Sequence, residues 1–102
     1  MQESDAGQTP ENRAVHTIAH GLVQAVGFRN YTKVSAQRLG VAGWVRNMDD
    51  GNVEIWAEGT QSRLQKFIQA IRRGPTHSRV TQLDLSWEVP NGESRSFRIR
   101  YW

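Results

Sequence analysis

The sequence has no cysteine, which excludes a disulfide framework, a thiolate metal site and a cysteine nucleophile together. Stability must therefore come from the core and the backbone ladders. Long apolar runs are also missing, and nothing approaches the roughly 20 residues that a membrane span needs. The first twelve residues, MQESDAGQTPEN, are polar and acidic, lack apolar periodicity, and resemble neither a signal nor a transit peptide. Residues 1–12 are expected to form a flexible tail ahead of one folded unit, 13–102, in a cytoplasmic protein. Lysine is scarce: eleven of the thirteen bases are arginine, which favours planar, bidentate recognition of phosphate or carboxylate.

What remains is ample for one packed domain: 102 residues, 37% of them hydrophobic, with four tryptophans. The mean hydropathy of −0.65 indicates a well-solvated surface. Beyond Arg13 there are twelve bases against seven acids, so the folded part attracts anions.

Val15, Thr17 and Ala19 alternate with His16, Ile18 and His20, a strand pattern closed by Gly21. After the link LVQAVGFR, helical spacing runs from about Phe28 to Leu39 and stops at Gly40. VAGWVRN and NVEIWAEG flank MDDG, a hairpin whose Asp50-Gly51 pair supplies positive φ. Thr60 caps a second helix carrying Leu64, Phe67, Ile68 and Ile71 on one face, ended by Gly74-Pro75. Alternation resumes from about Arg79 to Val89 and again over Phe97, Ile99 and Tyr101, with PNGES between. The order βαββαβ plus a terminal strand predicts an α+β fold, a ferredoxin-like split βαβ sandwich with two helices on one face of an antiparallel sheet.

In such a unit the first two strands are parallel with the third between them, so their C-terminal ends open on one side, roughly 10 Å apart. One end leads through Gln24 to Arg29 into the first helix; the other carries Arg46 and Asn47. A helix N-terminus binds phosphate through its free N–H groups, Gly27 lets the backbone curl around an anion, and Arg29 adds a charged fork. The competing reading is that Gly27 only makes a turn and Arg29 is solvated.

The stretch Gly21-Leu22-Val23-Gln24-Ala25-Val26-Gly27-Phe28-Arg29 closely resembles the acylphosphatase signature G-x-V-Q-G-V-x-F-R. Gly43-Trp44-Val45-Arg46-Asn47, followed by Asp50-Gly51-x-Val53-Glu54, resembles that family's second signature. The resemblance extends from about Val15 to Tyr101 and implies the same sandwich. It further implies hydrolysis of small anionic acyl phosphates without metal or organic cofactor. By the same resemblance Arg29 binds phosphate with the backbone N–H groups of Gln24, Ala25, Val26, Gly27 and Phe28, and the Asn47 side chain orients the attacking water. There is one departure: Ala25 stands where the signature has Gly, at a cost of about 1 kcal/mol if that position needs positive φ.

Two rival readings keep the fold. One is a module that binds acyl or carbamoyl phosphate for a partner enzyme without turnover; the end of the chain directly after its last strand speaks for autonomous hydrolysis. The other is an RNA-binding domain, for which Trp56 is the candidate stacking residue on the open sheet face. The first strand offers His16, Ile18 and His20 there in place of aromatics. No nucleic-acid or membrane partner is expected, and the protein is expected to be a monomer. His16 and His20 lie roughly 13 Å apart along a strand, too far for one metal ion. Trp44 and Trp87 read as core or rim packing, and the arginines at 63, 72, 73, 79, 95, 98 and 100 as solvated or paired charges.

Overall fold

The computed structural model describes residues 11–102, so the segment 1–10 of the expected tail lies outside the described residues. Seven elements follow in order: β1 (Asn12–Leu22), α1 (Phe28–Leu39), β2 (Ala42–Asn47), β3 (Val53–Thr60), α2 (Gln61–Arg73), β4 (Arg79–Glu88) and β5 (Phe97–Arg100). They form one sheet in the order β4-β1-β3-β2-β5. β3 lies antiparallel to both β1 and β2, so β1 and β2 are parallel, as the split βαβ unit requires. β5 joins the far edge parallel to β2, which makes the sheet mixed.

β1 is longer at both ends than the alternation suggests. Asn12, assigned to the tail from sequence, pairs with Thr60, and the strand passes through Gly21 to Leu22 with a register shift after His20. Gly43 is required by close approach: a Cβ there would overlap the Trp56 carbonyl oxygen of β3.

Both helices pack on one face of the sheet. α2 buries Leu64, Phe67, Ile68 and Ile71 against Val53, Ile55 and Ala57 of β3 and Val15 and Ala19 of β1. Fully burying side chains of this size contributes about 1.5–3 kcal/mol each. α1 adds Phe28 and Ala36, and the Tyr31 hydroxyl donates to the Ala70 carbonyl at 2.8 Å, tying it to α2. Gly40 adopts the left-handed conformation and Val41 N–H returns to the Ala36 carbonyl, a Schellman stop.

Parity on β4 is as expected: Trp87 lies beside Val15 and Leu85 beside Thr17 on the helix side. Coverage is not, because β4 is an edge strand that α2 scarcely reaches, leaving Leu85 and Trp87 exposed. Trp44 lies on the opposite, open face, paired in register with Trp56 and Arg98, so neither tryptophan belongs to the core. Among the described residues no helix is long and apolar enough to cross a membrane.

Candidate active site

Three chain segments converge at one end of the sheet because β1, β2 and β5 all point the same way. β1 delivers the link 23–27 and the start of α1, β2 delivers Asn47, and β5 delivers Tyr101.

The link is arranged for its backbone. Ala25 sits at φ 60° and is the one non-glycine residue with positive φ among the described residues, so the conformation that normally calls for glycine is present. Gly27 follows at φ 78° and serves as the N-cap of α1 without a side chain to offer. The first intrahelical bond runs from Tyr31 N–H to the Gly27 carbonyl at 3.0 Å, and the N–H groups ahead of it have no helical acceptor. No acidic residue occupies the first turn, so the positive end of the helix dipole is uncompensated from within the helix.

Arg29 leaves this first turn with its guanidinium 5.0 Å from the centroid of the Tyr101 ring, a cation–π distance. Together they line a cavity of about 250 Å³ with Ala25, Gly27, Phe28 and Ile99. That space suits a phosphate and a small substituent.

Of the six loop positions whose backbone is expected to bind phosphate, Ala25, Gly27, Phe28 and Arg29 line this cavity, and the Val26 side chain packs against the core. Gln24 has a different task. Its Nε2 donates to the carbonyls of Met48 and Asn52, both at 2.8 Å, stapling the loop to the β2–β3 hairpin. The same hairpin positions Asn47, which pairs with Val53 at the last position of β2. The Asn47 Oδ1 is buried and receives no hydrogen bond from the described residues. An orphan acceptor of this kind costs about 1–3 kcal/mol.

Arg46 does not join the site. The two-residue period of the strand turns it onto the open face, where its Nε donates to the Glu54 carboxylate at 2.7 Å. His16 meets the same carboxylate at 2.7 Å. Burial raises the Glu54 pKa, but hydrogen bonds and charge from His16 and Arg46 outweigh it and hold the group below its usual range. His20 pairs with Asp84 at 2.7 Å, and no cluster of three metal-ligating side chains occurs among the described residues. Trp56 does lie on the open face, yet its indole N–H donates to Glu58 at 2.7 Å, which ties the ring to the sheet.

The acylphosphatase family profile matches residues 15–99, most of the chain. The chain belongs to the acylphosphatase family. An acylphosphatase from Roseiflexus is 45% identical over 84 residues, covering 82% of this chain and 90% of its own length. One from Bacillus velezensis is 45% identical over 86 residues, covering 84% and 96%. In three dimensions the chain is similar to the crystal structure of acylphosphatase from Bacillus subtilis, with a TM-score of 0.84, 38% identity and coverage of 87% and 99%. It is also similar to part of a full-length HypF solved in a phosphate- and nucleotide-bound form: TM-score 0.81, 26% identity, 92% of this chain but 12% of that one.

Tyr101 is the residue that sequence reasoning passed over. Its parity with Phe97 and Ile99 is legible, but its place beside Arg29 depends on β5 pairing parallel to β2, for which no local signal exists.

Proposed function

We propose that this acylphosphatase holds the phosphoryl group of a small acyl phosphate between Arg29 and the N–H groups of residues 24–29, and that Asn47 aims the water. The observation that carries this reading is the junction at Gly27: a helix start with neither a side-chain cap nor an acid, opening with Arg29 onto a cavity that has room for a phosphate. Such a terminus favours a dianion, and the guanidinium fork engages two of its oxygens.

The reaction is hydrolysis. The water oxygen forms a bond to phosphorus as the bond between phosphorus and the acyl oxygen breaks; the products are a carboxylate and inorganic phosphate. A carboxylate leaves readily, so a loose phosphoryl-transfer state needs positioning and charge stabilisation more than a strong base. The Asn47 carboxamide neither gives nor takes a proton near neutral pH, but a carboxamide oxygen can accept a hydrogen bond from water and fix its direction. Gln24 keeps the two halves in register through the hairpin carbonyls. We place this activity in the cytoplasm, in a monomer with a small anionic acyl phosphate as its partner.

The test is hydrolysis of benzoyl phosphate with EDTA present, comparing the unaltered chain with Arg29→Ala and Asn47→Ala at matched thermal stability. Each substitution is expected to lower kcat by ~10² to 10³, the usual effect of removing one preorganised electrostatic group. A folded protein that binds phosphate but does not turn over benzoyl phosphate would instead establish a binding module.

A further inference from the structure

On the open face, at the β2–β5 edge, lies a second and larger cavity, of about 550 Å³. Three arginines line it, Arg95, Arg98 and Arg100, against the single carboxylate of Glu93. It is separated from the catalytic cavity by the edge strand: only Ile99 touches both.

Arg100 is held in an unusual way for a residue at an edge. Its guanidinium lies 4.5 Å from the Trp44 ring centroid and 5.2 Å from that of Trp102, so two indoles fix its plane. Stacking leaves the in-plane N–H groups as its polar outlets, and Nε is buried without an acceptor among the described residues. Among the described residues, no carboxylate forms an ion pair with Arg95, Arg98 or Arg100. Arg46, the register partner of Arg100 on β2, is by contrast committed to Glu54.

We infer that this cavity binds a small organic oxyanion, a phosphate or carboxylate carried on a planar aromatic group. The anion meets the guanidinium forks, of which Arg100 is held by the two indoles and none is ion-paired to a carboxylate among the described residues. The planar part packs against the indoles, since the volume falls in the range of small-molecule sites and far exceeds that of a bare phosphate. On the rest of this face Glu54 is committed to Arg46 and His16, Asp84 to His20, and Glu58 is buried, so none of them offers the three arginines a free carboxylate.

The experiment follows the four indole N–H resonances by NMR in the Arg29→Ala protein, in which anion binding at the catalytic loop is weakened. The probes are AMP, which carries both parts, and inorganic phosphate, which carries one. Expected are saturable shifts at Trp44 and Trp102 but not Trp87, with AMP binding more tightly than phosphate. Arg95→Gln with Arg98→Gln, which leaves the Arg100 stack intact, should weaken AMP by roughly tenfold or more. With Arg29 present, the same double variant should hydrolyse benzoyl phosphate at the unaltered rate. The inference is overturned if AMP at millimolar concentration shifts neither indole, if the double variant binds it equally well, or if AMP binds only when Arg29 is intact.

Discussion

The two helices of this protein begin in opposite ways. α2 starts after Thr60 in extended backbone at φ −69°, and the Thr60 hydroxyl accepts a hydrogen bond from Arg63 N–H at 3.3 Å. α1 starts after a left-handed glycine, with no side chain on its free N–H groups, and a strained alanine stands two residues before that glycine. Neither has an acid in its first turn, so the dipole alone does not distinguish them. What differs is capping. The α2 terminus satisfies one of its free donors through Thr60, whereas the α1 terminus has no side-chain cap, which leaves its donors to the anion of the proposed site.

That contrast can be broken by giving α1 an anion of its own. The Gly27 Cβ position is open, with nothing within 4 Å, and its φ of 78° is one that Asp and Asn tolerate better than other side chains. Gly27→Asp places a carboxylate beside the phosphate position, where like charges ~4 Å apart repel by several kcal/mol at an effective dielectric of ~20. A fall in kcat/KM for benzoyl phosphate of roughly tenfold or more is expected, with Gly27→Asn, of similar shape but neutral, losing much less. The reciprocal change, Thr60→Ala, should cost about 1 kcal/mol in chemical unfolding and leave kcat/KM unchanged.

A smaller effect attaches to Ala25. Left-handed backbone costs an alanine about 1–2 kcal/mol, and a glycine there returns about 0.5–1 kcal/mol of that through the greater freedom of its unfolded chain. Ala25→Gly should therefore stabilise the protein by a net ~0.5 kcal/mol, measured as a raised denaturant midpoint. If the midpoint falls instead, the loop is not strained at Ala25.

These local features account for how the molecule could be read from its sequence. The core face of α2 was legible because Leu64, Phe67, Ile68 and Ile71 repeat at helical spacing and nothing in the tertiary structure competes with it. The loop and Asn47 were legible for another reason, since two signatures lie in order on elements that the split βαβ unit brings together. What could not be read was coverage and neighbourhood. Leu85 and Trp87 alternate like core residues, but whether a helix reaches an edge strand is decided by the packing of α2 over β3 and β1. Arg46 adjoins Asn47 at the end of the second strand, but the alternation of the strand sends neighbours to opposite faces. Arg100 reads from the sequence as a solvated or paired charge, although Trp44, distant in sequence, and Trp102 hold it.

The smallest effect sharpens the comparison from the other side of the sheet, where charge is neutralised inside the protein. Glu54 joins His16 and Arg46, and its pKa is depressed in the fold because hydrogen bonds and charge outweigh its burial. A depressed carboxylate binds protons less readily when folded, so its stabilisation is complete above its unfolded value near 4.5 and is lost as pH falls through the folded value. Glu54→Gln should thus destabilise the protein at pH 7 by at most about 1 kcal/mol, as the pair is partly exposed and screened. The difference between the two proteins should shrink below about pH 4.5 and approach zero in stronger acid. Because Glu54 and Arg46 face away from Arg29 and Asn47, kcat/KM at pH 7 should stay the same, and a large loss of rate would mean that the open face also shapes the catalytic end of β2.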